Sequence, residues 1–203
     1  MSAGSPVNLV VLVEERSADE ALRALLPKIT PGVAFRIAPF DGKEDLLRKL
    51  PHRFREYTYY WRAVNSRVVV LVDRDDDDCL ELKAQLSRMA KEAGLPAEAV
   101  LFRIVIEELE AWFLGDVPAV HAAYPRVSLD LVKRVKFREP EDVPGGAWEA
   151  LEHLFQQHGY HKKGLAKMIA ARDIAPHMDV ENNRSQSFQV FRDGLRRLVS
   201  EEN

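Results

Sequence analysis

The chain reads as an α/β protein, a parallel sheet held between helices, and three features of the sequence predict it. Two runs, Val7 to Val13 and Val68 to Val72, are almost wholly apolar and rich in valine. That is the composition of strands buried on both faces, since a strand with one wet face would alternate. Between and after these runs, apolar residues recur at helical spacing. Strand and helix therefore alternate along the first half, which favours a three-layer sheet over a bundle or a sandwich.

Each element has its own local cause. After the first strand, Ser17-Ala18-Asp19-Glu20 has the pattern of a capping box, with Ser17 as cap and Glu20 as its partner. It predicts a helix that turns Ala21, Leu22, Leu25 and Leu26 inward. Pro27 and Pro31 bracket its end. Val33 to Ile37 is a second extended piece, followed by Asp41-Gly42 and a helix carrying Leu46, Leu47 and Leu50, with Pro51 read as a restart. The stretch from His52 to Trp61 mixes basic and aromatic residues. Asn65-Ser66 then turns the chain into the strand at Val68. Leu80, Leu82, Leu86 and Met89 mark a helix stopped by Gly94 and Pro96, and Val100 to Ile106 is another strand. From Val117 onward the chain is helical and broken by Pro125, Pro140, Pro144-Gly145-Gly146 and Gly159. The expected organisation is an α/β domain over residues 1–116 with a helical extension over 117–203 packed on it.

Composition narrows the function. A chain of 203 residues, 46% hydrophobic and 30% charged, has room for one good core. The single cysteine, Cys79, excludes an internal disulfide and any paired-cysteine zinc motif, and fits a reducing cytoplasm. No apolar run approaches the roughly 20 residues that span a bilayer. Met1 to Ser5 lacks the basic start of a signal peptide, so neither membrane insertion nor secretion is expected. A formal net charge of -3 argues against coating nucleic acid by bulk electrostatics and leaves a local basic groove open.

The acids carry the chemistry. Glu14 and Glu15 end the first apolar run, Asp73-Arg74-Asp75-Asp76-Asp77-Asp78 ends the second, and Glu107, Glu108 and Glu110 follow the third. Neighbouring carboxylates about 4 Å apart repel by roughly 4 kcal/mol at an effective dielectric near 20. A hard divalent cation offsets that repulsion, and magnesium or manganese takes such oxygen ligands. In extended backbone Asp73 and Asp75 point to the same side, so they are the candidate metal ligands. Glu14 would join them if its strand lies beside theirs. Asp76, Asp77 and Asp78 are better read as the acidic start of the next helix. Glu108 and Glu110 stand where strand gives way to helix, beside Leu109, Trp112 and Phe113 at core spacing, and spacing alone does not choose between them.

Val13-Glu14-Glu15-Arg16-Ser17, Val70-Leu71-Val72-Asp73-Arg74-Asp75, Glu107-Glu108-Leu109-Glu110-Ala111-Trp112-Phe113 and Asn183-Arg184-Ser185-Gln186-Ser187-Phe188 together resemble an uncharacterised bacterial TOPRIM-like family, domain-of-unknown-function family 4276. The strand-final Glu, the Asp-x-Asp and the later Glu-Leu-Glu are similar to the TOPRIM domain of topoisomerases, primases and OLD-family nucleases. The resemblance implies a Rossmann-like sheet and phosphodiester chemistry, with Glu14 as general acid/base and Asp73 and Asp75 as magnesium ligands. OLD nucleases usually carry a glycine after the first Glu and an acid four residues beyond it. Glu15 and Ala18 stand there instead, which leaves the number of metals open. Relatives often lie beside ATPase genes in apparent phage-defence pairs, so an ATPase partner is implied. Some OLD nucleases also use a late lysine, which the motifs assign to no residue of this chain.

The expected function is metal-assisted cleavage of DNA or RNA, with Glu14 and Glu108 or Glu110 as catalytic carboxylates. Substrate-binding candidates are Lys162 and Lys163 before Gly164, at an expected helix start, and Arg184. Lys133, Arg134, Lys136 and Arg138 read as a solvated face. The alternative is a non-catalytic magnesium- or nucleotide-binding chain that regulates an ATPase partner or acts with it as a toxin.

Overall fold

A computed structural model describes residues 7–74, 77–105, 108–134 and 137–200. Its centre is a four-stranded parallel sheet in the order β2-β1-β3-β4, formed by β1 (Asn8–Val13), β2 (Ala34–Pro39), β3 (Ser66–Asp73) and β4 (Val100–Val105). The two apolar runs noted in the sequence are the central pair, with Val11 beside Val69 and Val13 beside Leu71. Their side chains alternate between two cores. Leu9, Val11, Val13, Val69 and Leu71 face one, and Leu12, Val68, Val70 and Val72 face the other.

The second core is closed by α2 (Lys43–Val64) and α3 (Cys79–Glu92). The first is closed by α1 (Arg16–Ile29) and by the segments beyond β4, namely α4 (Glu108–Leu114), α5 (Val117–Ala123), α6 (Ala147–Gln157), α7 (Lys167–Ile174) and α8 (Gln186–Ser200). The helical second half thus shares one apolar core with β1, β3 and α1, and that core runs unbroken past Asp116.

Two local expectations are corrected. Helix α1 starts at Arg16 with Glu15 in the cap position, so Ser17 lies inside the first turn and caps nothing. Its hydroxyl instead donates to Glu15 Oε2 at 3.2 Å. Pro51 does not restart the second helix, because α2 runs unbroken for 22 residues with Pro51 inside it. An interior proline removes one backbone hydrogen bond and crowds the preceding turn. Leu46, Leu50 and Phe54, fully buried at spacings of four, pin the turns on either side of it to the sheet. The helix stops where Asn65 adopts φ 47°, a left-handed conformation that asparagine tolerates.

The strand order creates a crevice. From β1 the chain crosses by α1 to β2 on one side, and from β2 it returns by α2, over the opposite face, to β3 on the other side of β1. The carboxyl ends of β1 and β3 flank the point where the connections diverge, the place where open parallel sheets bind ligands.

Candidate active site

Both strand-final acids stand at that crevice. Glu14 follows β1 directly and Asp73 closes β3. The Glu14 carboxylate accepts a hydrogen bond from the Asp73 backbone N–H at 3.1 Å, so residues 59 positions apart are in direct contact. The backbone around Glu14 is held from the neighbouring loop, where Gly42 N–H donates to Glu14 O at 3.1 Å and Phe40 N–H to Val13 O at 2.9 Å. On the other side Arg74 N–H donates to Val105 O at 2.9 Å and ties the end of β3 to β4.

Glu14, Asp73, Glu110 and Lys167 line one narrow cavity of roughly 20 Å³, enough for one or two water-sized bodies. Glu15 and Ser17 lie at its margin, and Leu71, Val105 and Trp112 give it an apolar wall. Of the two candidates in Glu-Leu-Glu, Glu110 is in the wall and only 2% exposed. Helix α4 is buried on all sides, with Ala111 to Leu114 fully covered, and Glu110 is enclosed with them. The side chain of Glu108, like Asp75 and Asp76, lies outside the described residues.

Lys167 is the participant that sequence reasoning missed. It heads α7, 94 positions after Asp73 in the chain, and its ammonium lies 5.3 Å from the centre of the Trp148 ring. One signal was available. A cation in the first turn opposes the helix dipole, at a cost of about 0.3–1 kcal/mol, so a lysine there asks for an acidic neighbour elsewhere in the fold.

The remaining acids and bases have plain duties. Asp78 caps α3 by accepting from Leu80 N–H at 2.8 Å and Glu81 N–H at 2.9 Å, the helix-start role expected of it. Asp77 pairs with Lys43 at 3.0 Å, and the Lys43 ammonium also donates to Arg74 O at 3.0 Å. Lys162 and Lys163 are exposed in a turn, and α7 starts only at Lys167, so the expected helix N-terminus is not where they stand. Arg184 spends its guanidinium on backbone, donating to Leu114 O at 3.1 Å, Arg138 O at 3.1 Å and Phe137 O at 3.3 Å.

The Asn183 to Phe188 motif is a buckle behind the cavity. Asn183 donates to Trp112 O at 2.8 Å, and Trp112 Nε1–H donates to Ser187 Oγ at 2.9 Å. Glu141 accepts from Ser185 Oγ at 2.6 Å and Ser187 N–H at 3.0 Å. The motif approaches so closely that a Cβ on Gly115 would stand 2.7 Å from Ser185 N, which excludes any larger residue there. Trp112, locked in this way, is the back wall for Glu110.

The profile of the family described as Domain of unknown function (DUF4276) matches residues 13–196. The chain belongs to the DUF4276 family. The matched span takes in both strand-final acids, Glu110, Lys167 and the Asn183 buckle, so the convergent site lies wholly inside the family's domain. Comparison with curated proteins and with solved structures finds no match.

In this DUF4276 chain the donor set suits a hard cation, since the described lining holds four carboxylates, Glu14, Glu15, Asp73 and Glu110, and no sulfur or imidazole. Among the described residues no three His, Cys, Asp or Glu side chains form a ready-made cage. Magnesium does not require one. It is usually held by one or two carboxylates, several waters and the substrate's phosphate oxygens. Glu14 and Asp73, already in contact, are the pair that fits.

Proposed function

We propose that this DUF4276 chain is a metal-dependent nuclease, a relative of the TOPRIM domain of OLD-family nucleases, that cleaves phosphodiester bonds of DNA or RNA. The observation that carries this reading is the convergence of Glu14, Asp73, Glu110 and Lys167 on one cavity at the switch point of a parallel sheet. A basic residue among several acids balances charge in a way that serves a phosphate oxygen on one side and a cation on the other.

Magnesium or manganese, held through Asp73 and Glu14 and by Asp75 as the sequence indicates, would neutralise phosphate charge and acidify water there. Glu14 moves the proton to or from water or the leaving oxygen. Glu110, nearly excluded from solvent, maintains the negative potential that recruits the cation, and it supplies the further carboxylate for proton transfer. Lys167 offers an ammonium to the non-bridging phosphate oxygens, where charge accumulates as the bond breaks. The apolar wall of Leu71, Val105 and Trp112 keeps bulk water from competing with these contacts.

The ATPase partner and a role in phage defence rest on the likeness of the four motifs to that family, and co-purification tests them. The chemistry is tested by substitution. Asp73→Asn and Glu14→Gln should each lower cleavage of labelled DNA or RNA in magnesium or manganese by 100-fold or more, with the fold retained by circular dichroism. Lys167→Met should lower it by about 10- to 100-fold, in line with loss of one charge-stabilising donor. Asn and Gln variants as fast as the parent would overturn the proposal. A stable ATPase complex with no nuclease activity, alone or assembled, would favour the non-catalytic alternative.

A further inference from the structure

The fourth strand, Val100-Leu101-Phe102-Arg103-Ile104-Val105, has a single charge in its middle. Arg103 projects on the face of Leu101 and Val105, under α8, where an apolar side chain would be expected. Among the described residues its one hydrogen bond is a long one, Nη1–H to Phe102 O at 3.5 Å, and its buried Nε–H finds no acceptor. No carboxylate pairs with it among the described residues. Desolvation, and after it the positive charge of Arg197 on α8, pull its pKa below the ordinary arginine value. Room for this guanidinium is built into α8. A Cβ on Gly194 would stand 2.9 Å from both Arg103 Cζ and Nε.

A half-buried guanidinium without an acid partner, next to a second one, loses stability that an apolar residue would keep. An unsatisfied buried polar group of this kind calls for an explanation, and a ligand that supplies the missing charge is one. Arg103 lines a groove of about 380 Å³ that shares Leu71, Val105 and Trp112 with the carboxylate cavity, so the two adjoin. In register, Arg103 lies beside Leu71 and Val105 beside Asp73. The arginine is therefore two residues, about 6.6 Å, back along the strand from the position facing Asp73. That distance corresponds to roughly one or two nucleotides of backbone. Glu141 and Asp142 also border the groove, but Glu141 is bonded to Ser185 and Ser187 at the start of α8. Gly194 is seven residues further on, about 10 Å along the helix, so the basic end and the acidic end of the groove are separate.

We propose that Arg103, assisted by Arg197, binds a backbone phosphate of the nucleic acid next to the one that is cleaved, and so sets the register of the strand across the site. The assignment rests on the nuclease reading. A guanidinium is suited to this because its planar fork matches two phosphate oxygens at once.

The test uses the full chain and fluorescent single-stranded DNA and RNA oligonucleotides. Affinity is measured in EDTA from 50 to 300 mM salt, and cleavage kinetics in manganese. Arg103→Met and Arg197→Ala should each weaken binding about tenfold and reduce the salt slope by about 0.7, the value for one lost single-strand phosphate contact. In cleavage they should raise KM with kcat little changed. Arg103→Met should melt at or above the parent temperature, which a merely structural arginine would not do, and Arg103→Lys should recover part of the affinity. Unchanged affinity and salt slope in both variants, with Asp73→Asn still abolishing cleavage, would overturn this assignment and leave the nuclease reading standing. A parent chain that neither binds nor cleaves either oligonucleotide would overturn the nuclease reading and this assignment with it.

Discussion

Single side chains in the helical half carry polar constraints as definite as those in the cavity, and His161 shows how they combine. Its Nε2 lies 3.0 Å from Tyr124 Oη, whose hydroxyl donates to Asp173 Oδ2 at 3.2 Å. The Tyr124 proton being committed to Asp173, His161 must donate from Nε2, which leaves Nδ1 to accept from Ala166 N–H at 3.4 Å. A proton on Nδ1 would face another donor. Burial lowers the His161 pKa from its ordinary 6.5, against an opposing pull from Asp173. The folded chain therefore binds fewer protons than the unfolded chain between the folded value and 6.5, and stability falls as pH drops through that window. Above 6.5 the contribution is complete. An NMR titration of His161 should give a midpoint below 6.5, and melting should occur at lower temperature at pH 5.5 than at pH 7.5. His161→Gln should show the shallower pH slope, and a midpoint at or above 6.5 would contradict the assignment.

At the scale of elements, legibility followed how local each cause was. The central strands were plain in the sequence because valine-rich runs such as Val68 to Val72 have few other uses, and their adjacency brought Glu14 to Asp73 as the pattern of strand-end acids implied. Pro51 was misread because its neighbours at Leu46, Leu50 and Phe54, which hold both turns to the sheet, act through tertiary packing that proline rules ignore. Lys167 was missed for the same reason: its position against the helix dipole hints at an acidic neighbour, but which neighbour depends on where α7 docks. That docking has an identifiable fastener. The Lys28 ammonium, near the end of α1, donates to Pro176 O at 2.6 Å and Met178 O at 3.0 Å, in the turn that follows α7. Hydrogen bonds from a charged donor contribute about 1.5–3 kcal/mol, less when part-exposed. Lys28→Met should cost about 1–2 kcal/mol in urea unfolding and lower cleavage as Lys167 loses its fixed position, while Lys28→Arg should lose less of both. An unchanged midpoint would show that the fastener does not act.

At the scale of the whole molecule, the larger core belongs to both halves of the sequence. Trp112, at the end of the α/β portion, is fully buried and packs on Phe188 and Phe191 of α8, with ring centres 5.3 and 5.0 Å away. Leu22, Leu25 and Leu26 of α1 lie in the same cluster as Ala170, Ala171 and Ile174 of α7. The helical half is thus the second cover of the sheet, and the cavity has Lys167 from one half facing Glu14 and Asp73 from the other. A chain ending at 116 would uncover Trp112, Phe113 and one side of α1, a contiguous apolar surface larger than soluble monomers normally expose. It should aggregate or bind a hydrophobic dye, with no cooperative melt. The full chain, by the same reasoning, should unfold in one transition reported equally by Trp61 on α2 and by Trp112 and Trp148 on the opposite layer, because neither layer keeps its core without the sheet between them. Single-tryptophan variants separate the two signals, and either two resolved midpoints or a cooperatively melting 1–116 fragment would show that the halves are independent domains.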